Sequence, residues 1–230
     1  MTALPLHRTI DHTLLKPDAA GAAVDRLIDE AIRYRFAAVC LPPCWVGHAA
    51  ERLAASNVER SDDERTAVCT VVGFPLGYVD PRSRRDESRH ALAAGATELD
   101  TVINIGWLKA GDDQRVRDDL EAWVTEARAH GGQDVVLKVI LETCLLTARE
   151  KARGTELVAE AGADFVKTST GFQASGATVE DVALLAKVAG RRLQVKASAG
   201  IRDAASARAM LDAGASRIGT SAGIAIVGGS

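Results

Sequence analysis

Lys167 and Lys196 stand at matched places in two short apolar segments, Asp164-Phe-Val-Lys167-Thr-Ser-Thr-Gly171 and Leu193-Gln-Val-Lys196-Ala-Ser-Ala-Gly200. In a strand, successive side chains point to opposite faces, so Lys167 shares the face of Phe165 and opposes Val166. Two inward lysines on adjacent strands bring two ammonium groups together. Each then disfavours protonation of the other, and a pKa depressed in this way is expected for the pair. A neutral amine is the nucleophile that attacks a carbonyl to form a Schiff base. Either lysine alone could instead point outward and extend its ammonium to solvent. Two in matched positions fit that reading poorly.

Other polar residues interrupt apolar strands. Asp100 lies in Glu98-Leu-Asp100-Thr-Val-Ile-Asn104, where a carboxylate among lysines could carry protons. Lys138 lies in Val135-Val-Leu-Lys138-Val-Ile-Leu-Glu142, and Glu142 is spaced to pair with it, a support behind the reactive groups. Asp11 and Thr13 share one parity and can face the same pocket, which turns His12 outward. Cys40 ends the segment Ala38-Val-Cys40 and could line that pocket, although a free cysteine in a strand is more commonly a small core residue. The remaining histidines lack metal-ligand spacing, and no Cys/His cluster is present, so no metal is expected.

These residues need elements to hold them. A helix-like stretch ends in Ala-Gly-Ala three times, at 94–96, 161–163 and 213–215, each followed by a short apolar run. Glycine caps a helix cheaply, and helix, glycine, strand is the βα repeat of a parallel sheet. Strands are expected near 8–13, 36–41, 66–73, 97–103, 134–141, 164–169, 192–198 and 216–220. Val24, Leu27, Ile28, Ala31 and Ile32 form a helical stripe, as do Val116, Leu120, Trp123, Val124 and Ala127. Asp80-Pro81 reads as a helix start, Thr147-Ala-Arg-Glu150 as a capping box, and helices are expected to begin at Thr178 and Asp203. Eight strands with helices between them predict an α/β fold, a single (β/α)₈ TIM barrel forming one catalytic domain over residues 1–230. An open doubly wound sheet would call for a glycine-rich nucleotide turn, and none is present.

Chemistry in such barrels sits at the C-terminal strand ends. Three small-residue loops follow strands six, seven and eight: Thr168-Ser-Thr-Gly171, Ser198-Ala-Gly200 and Gly219-Thr-Ser-Ala-Gly223. Their backbone N–H groups can cradle a phosphate, and with no arginine or lysine inside them recognition is expected to rest on neutral donors.

The 230 residues carry 28 Lys plus Arg against 31 Asp plus Glu, a formal net charge of −3 with no charged tail, so neither a nucleic acid nor a membrane partner is expected. The basic run Arg82-Ser-Arg-Arg85 is flanked by Asp80, Asp86 and Glu87 and reads as a solvated helix face. Four cysteines without a C-x-x-C pair suit reduced thiols. The first residues lack a charged-then-apolar leader, and no apolar stretch is long enough to span a bilayer, so a cytoplasmic location is expected.

Taken together, Ile10-Asp-His-Thr-Leu-Leu-Lys-Pro17, Ala38-Val-Cys-Leu-Pro42, Val71-Val-Gly-Phe-Pro-Leu-Gly77, Glu98-Leu-Asp-Thr-Val-Ile-Asn-Ile-Gly106, Lys138-Val-Ile-Leu-Glu-Thr143, Val166-Lys-Thr-Ser-Thr-Gly-Phe172, Val195-Lys-Ala-Ser-Ala-Gly-Ile-Arg202 and Arg217-Ile-Gly-Thr-Ser-Ala-Gly223 resemble the deoxyribose-phosphate aldolases from Asp11 to about Val227. The resemblance implies reversible cleavage of 2-deoxy-D-ribose 5-phosphate to D-glyceraldehyde 3-phosphate and acetaldehyde, without a cofactor. It implies Lys167 as Schiff-base former, Lys196 and Asp100 as proton carriers, Asp11 and Thr13 as supports, and Gly171, Gly200 and Ser221 at the phosphate. It also implies a homo-oligomer, dimer or tetramer. The sequence departs from the family's pattern in three places. Ala199-Gly200 stands where many relatives have two glycines. Ala222 replaces a second serine, and no tyrosine lies near the C-terminus. Another Schiff-base sugar-phosphate aldolase, or a barrel that only binds a sugar phosphate, are the alternatives. Retention of Lys167, Lys196 and Asp100 speaks against the second, because a binder has no use for a nucleophile.

Overall fold

Strands of three to six residues alternate with helices along the whole chain, and a computed structural model describes residues 4–58, 60–61 and 64–228 of it. The strands are β1 (Ile10–Thr13), β2 (Ala38–Leu41), β3 (Ala67–Val72), β4 (Glu98–Val102), β5 (Val136–Ile140), β6 (Phe165–Lys167), β7 (Gln194–Ser198) and β8 (Arg217–Thr220). Every neighbouring pair is parallel, and β8 pairs with β1, so the sheet closes into a (β/α)₈ TIM barrel. All eight expected strands are present, each trimmed by one to three residues.

Helices α1 (Gly21–Tyr34), α2 (Val46–Asn57) and α3 (Pro81–Ala93) cover the first half. They are followed by α4 (Ile105–Ala110), α5 (Asp113–Gly131), α6 (Ala148–Glu160), α7 (Val179–Ala189), α8 (Ala204–Asp212) and α9 (Gly223–Gly228). Their ends follow the chemistry read in the sequence. The Asp80 side chain accepts from the Arg82 N–H at 2.8 Å ahead of Pro81, and Thr147 and Glu150 cap α6 reciprocally. Thr178 and Asp203 cap α7 and α8. The Ala-Gly-Ala glycines after α3, α6 and α8 take φ of 104°, 80° and 110°, a left-handed conformation that glycine reaches without a steric penalty. The helix stripes bury: Val24, Leu27, Ile28 and Ala31 lie in the same apolar layer as Leu120 and Trp123. A side chain of this kind stabilises by roughly 1.5–3 kcal/mol when fully buried.

The basic run in α3 departs from the solvated face expected of it. Arg84 is buried and ion-paired with Asp119 of α5, and it donates to the Val102 carbonyl at 3.3 Å. Arg85 pairs with Glu126 at 3.1 Å. For Arg84 and Arg85 the partners lie on α5 rather than among the flanking acids, and long-range partners leave no local signal. No helix among the described residues is long and apolar enough to cross a membrane.

Candidate active site

Seven charged side chains from six strands meet inside the barrel. Asp100, on β4, is completely buried and holds three ammonium groups. Its Oδ2 accepts from Lys167 Nζ at 2.8 Å and Lys196 Nζ at 2.7 Å, and its Oδ1 accepts from Lys138 Nζ at 2.9 Å. Register explains the meeting. Asp100 lies beside Lys138 across the β4–β5 ladder, and Lys167 beside Lys196 across β6–β7. Asp11 on β1 makes an ion-pair contact with Lys196 at 2.5 Å through its Oδ2.

Two further members were not singled out in the sequence. Arg217, the first residue of β8, donates from Nε to Asp11 Oδ1 at 2.6 Å and from Nη2 to Glu98 at 3.1 and 3.2 Å. Glu98, the first residue of β4, also accepts from Lys138 at 2.5 Å. The signals were there. Glu98 has the parity of Asp100, and Arg217 has that of Gly219 in the final strand.

The expected mutual depression of the two lysines does not describe Lys196. Burial works against its charge, but Asp100 and Asp11 outweigh burial and hold its pKa well above the ordinary range. The interposed carboxylate, absent from a two-lysine argument, changes the sign. Asp100 itself is penalised by burial, yet Lys138, Lys167 and Lys196 hold its pKa well below the usual carboxylate range. Asp11, likewise buried, is held at about 2 by Arg217 and Lys196.

The expected Lys138–Glu142 pair is replaced. β5 ends at Ile140, so strand parity no longer governs Glu142, whose φ of 59° turns it toward the loop after β6. There it accepts from the Thr170 hydroxyl and from the Thr170 N–H at 3.3 Å. Burial raises the pKa of Glu142. Lys138 instead pairs with Asp100 and Glu98.

Of the three lysines, Lys167 lines a cavity of about 350 Å³ at the C-terminal strand ends. Thr13, Gly171, Gly200 and Ser221 line it too, together with Thr170, Phe172 and Ser198. Lys138, Lys196, Asp100 and Asp11 lie beneath. Cys40 does not line the cavity; it is buried in a small interior cluster with Ala38, Cys69 and Val71. His12 points out of the barrel, bonded to Glu30 at 2.7 Å and tilted against Phe36. The expectation of neutral phosphate donors needs revision, because Lys16 and Arg202 also line the cavity from the loops after β1 and β7. Both lie outside the three small-residue loops.

Cys40, Cys69 and Asp100 come close enough together to suggest a cation site. Their chemistry fits one poorly. Burial pushes the Cys69 thiol well up, which keeps it neutral, and both Asp100 oxygens already face ammonium groups. The described thiols at 40, 44, 69 and 144 are all free.

The model of the DeoC/LacD family aldolases matches residues 7–228. The chain belongs to this family. A deoxyribose-phosphate aldolase of Brevibacillus brevis is 52% identical over 225 residues, 98% of this chain and 96% of that protein. That of Enterococcus faecalis is 49% identical over 99% of this chain and 98% of its own length. Among solved structures, a putative deoxyribose-phosphate aldolase from Coccidioides immitis superposes with a TM-score of 0.90 at 38% identity, covering 100% of this chain and 88% of that one. The deoxyribose phosphate aldolase from Aeropyrum pernix, described as a unique tetramer, gives 0.86 at 33% identity over 97% of this chain and 89% of its own. The family, like the barrel, was legible in the motifs.

Proposed function

We propose that this chain is a deoxyribose-phosphate aldolase, a single catalytic domain that cleaves 2-deoxy-D-ribose 5-phosphate reversibly to D-glyceraldehyde 3-phosphate and acetaldehyde. One observation carries the reading: three lysines share one buried carboxylate, and of the three Lys167 lines the cavity. A barrel that only binds sugar phosphates would gain nothing from burying so many charges, since each costs several kcal/mol of desolvation.

The Lys167 amine, once neutral, attacks C1 of the open-chain aldehyde, and loss of water leaves a protonated imine. As the 3-hydroxyl gives up its proton, the C2–C3 bond breaks and its electron pair moves into the imine. Glyceraldehyde 3-phosphate leaves, and an enamine remains. Protonation at C2 and hydrolysis then release acetaldehyde and restore the amine. Lys167 and Lys196 both donate to the same Asp100 oxygen, so a proton passes between the amines across two hydrogen bonds. Lys196, held charged, is the proton store, and Asp100 is the carrier. Asp11 and Lys138 hold these two in place, and Thr13 borders the reacting end. The imine is itself the electron sink, so the scheme calls on no cofactor.

Gly171, Gly200 and Ser221 are assigned to the phosphate, with Lys16 and Arg202 adding charge at the rim. The partners are small aldehydes and sugar phosphates, in a soluble cytoplasmic homo-oligomer of two or four copies. The test is reduction with borohydride in the presence of acetaldehyde, followed by mass spectrometry. The adduct is expected on Lys167, and Lys167→Met should abolish both adduct and cleavage. An adduct confined to Lys138 or Lys196 would overturn the assignment.

A further inference from the structure

The interior charges form a closed circuit. Arg217 contacts Asp11, Asp11 contacts Lys196, and Lys196 contacts Asp100. Asp100 contacts Lys138, Lys138 contacts Glu98, and Glu98 returns to Arg217. Signs alternate around all six members, and three cations balance three carboxylates. Lys167 hangs from Asp100 as a seventh group. Among the described members it is the surplus cation, so its proton can leave without unbalancing the circuit.

Arg217 and Glu98 sit at the N-terminal strand ends, on the far side of the barrel from the cavity. That end of a barrel ordinarily serves stability. Their place in the circuit gives them a second role. Arg217 is the shared partner of Asp11 and Glu98, and through these it reaches the two groups that flank Asp100. If Arg217 were absent, Asp11 would have Lys196 as its remaining partner, and Glu98 would have Lys138. If Glu98 were absent, Lys138 would turn wholly to Asp100, in competition with Lys167. Either loss changes the net charge beneath the nucleophile by one unit, in a dry interior where charges are weakly screened.

We infer that Arg217 and Glu98 are positioning residues for the Schiff-base reaction: they close a charge-neutral circuit and leave Lys167 as the one cation that hangs outside it. The inference rests on the assignment of Lys167 as nucleophile. The other ionisable groups facing the circuit are the Cys40 and Cys69 thiols, from β2 and β3, and Glu142 beyond β5. All of these stay constant in the variants below.

The experiment follows borohydride trapping of acetaldehyde on Lys167 as a function of pH, with folding monitored by circular dichroism at each point. Arg217→Met removes a cation and should move the midpoint of trapping up by on the order of one pH unit. Glu98→Gln removes an anion and should move it down by a similar amount. The double variant removes one charge of each sign and should return the midpoint close to the wild-type value. Arg217→Lys keeps the charge but not the two-carboxylate reach. It should keep the midpoint while kcat falls on the order of tenfold at unchanged KM, and it keeps the test usable if a single variant does not fold. Unshifted midpoints, shifts of the same sign in both single variants, or an Arg217→Lys enzyme with full kcat would each overturn the inference. Failure of the wild type itself to trap at Lys167 would overturn the assignment of the nucleophile instead.

Discussion

Asp100 sets the electrostatics of this site from a position with no solvent exposure at all. A lone buried carboxylate would be protonated, because burial penalises its charge. Three ammonium groups within 2.9 Å reverse that and keep it an anion. The same contact makes it the bridge between Lys167 and Lys196, the nucleophile and the proton store proposed above. Replacing it should therefore have two separable effects. Asp100→Asn leaves three buried ammonium groups short of a partner, and breaking buried pairs in this way costs about 3–5 kcal/mol of stability. The surviving folded enzyme should still trap acetaldehyde on Lys167, because the amine is intact. Exchange of the acetaldehyde methyl protons with deuterated water, which requires the enamine to be protonated and deprotonated at carbon, should fall about 10²–10⁴-fold, the usual worth of a placed acid–base group. NMR of the methyl signal reads this directly. Unimpaired exchange in the folded variant would assign the carrier elsewhere, with the Lys196–Asp11 pair next in line.

At the level of elements, the loop after β7 bears the departure the sequence marked at Ala199. This residue takes φ of 70°, a left-handed conformation that costs an L-residue roughly 1–2 kcal/mol. The turn is held by the 176–177 segment packed against it. The Ala177 N–H donates to the Ser198 and Ala199 carbonyls, and a Cβ on Gly176 would fall 2.2 Å from the Ala199 oxygen. The chain therefore has no freedom to relax Ala199 into an ordinary region. Ala199→Gly should relieve the strain, less the extra entropy that glycine loses on folding, for a net gain of about 0.5–1 kcal/mol. A rise in the urea midpoint at constant slope is the expected reading, and a fall would mean that the alanine methyl packs more usefully than its backbone angle suggests. The helix boundaries, by contrast, hold few surprises. Asp80, Thr147, Thr178 and Asp203 cap where their side chains dictate, because capping is decided within four residues of chain. Arg84 was misread since its partner Asp119 lies on another helix, and Glu142 because parity lapses one residue after a strand stops pairing.

Across the whole molecule, the same division recurs. Alternation placed Lys167, Lys196, Asp100 and Asp11 on the interior face, and the βα rhythm closed the barrel around them. What periodicity cannot supply is which inward charges touch. That depends on register between strands far apart in sequence, as in the Arg217–Asp11 contact across 206 residues. The pairing sets the sign of each pKa shift and with it the response of the fold to acid. Asp11 is held at about 2 in the folded protein against an ordinary 3.8, and Asp100 is depressed in the same direction. A carboxyl with a depressed folded pKa contributes stability that is fully present above its unfolded value and is lost as pH falls through the folded one. Asp11 alone then contributes about 2 kcal/mol above pH 4, and this drains away between roughly pH 4 and 2. Asp11→Asn lowers stability at neutral pH, where Lys196 and Arg217 lose a partner, but it should also flatten the acid limb. Urea unfolding at intervals from pH 5 to 2 gives the slope of stability against pH. In the variant that slope should fall by up to one proton's worth, about 1.4 kcal/mol per pH unit. Equal slopes in the two proteins would mean that Asp11 takes up its proton at the same pH folded and unfolded, and the circuit would then not be holding it as an anion.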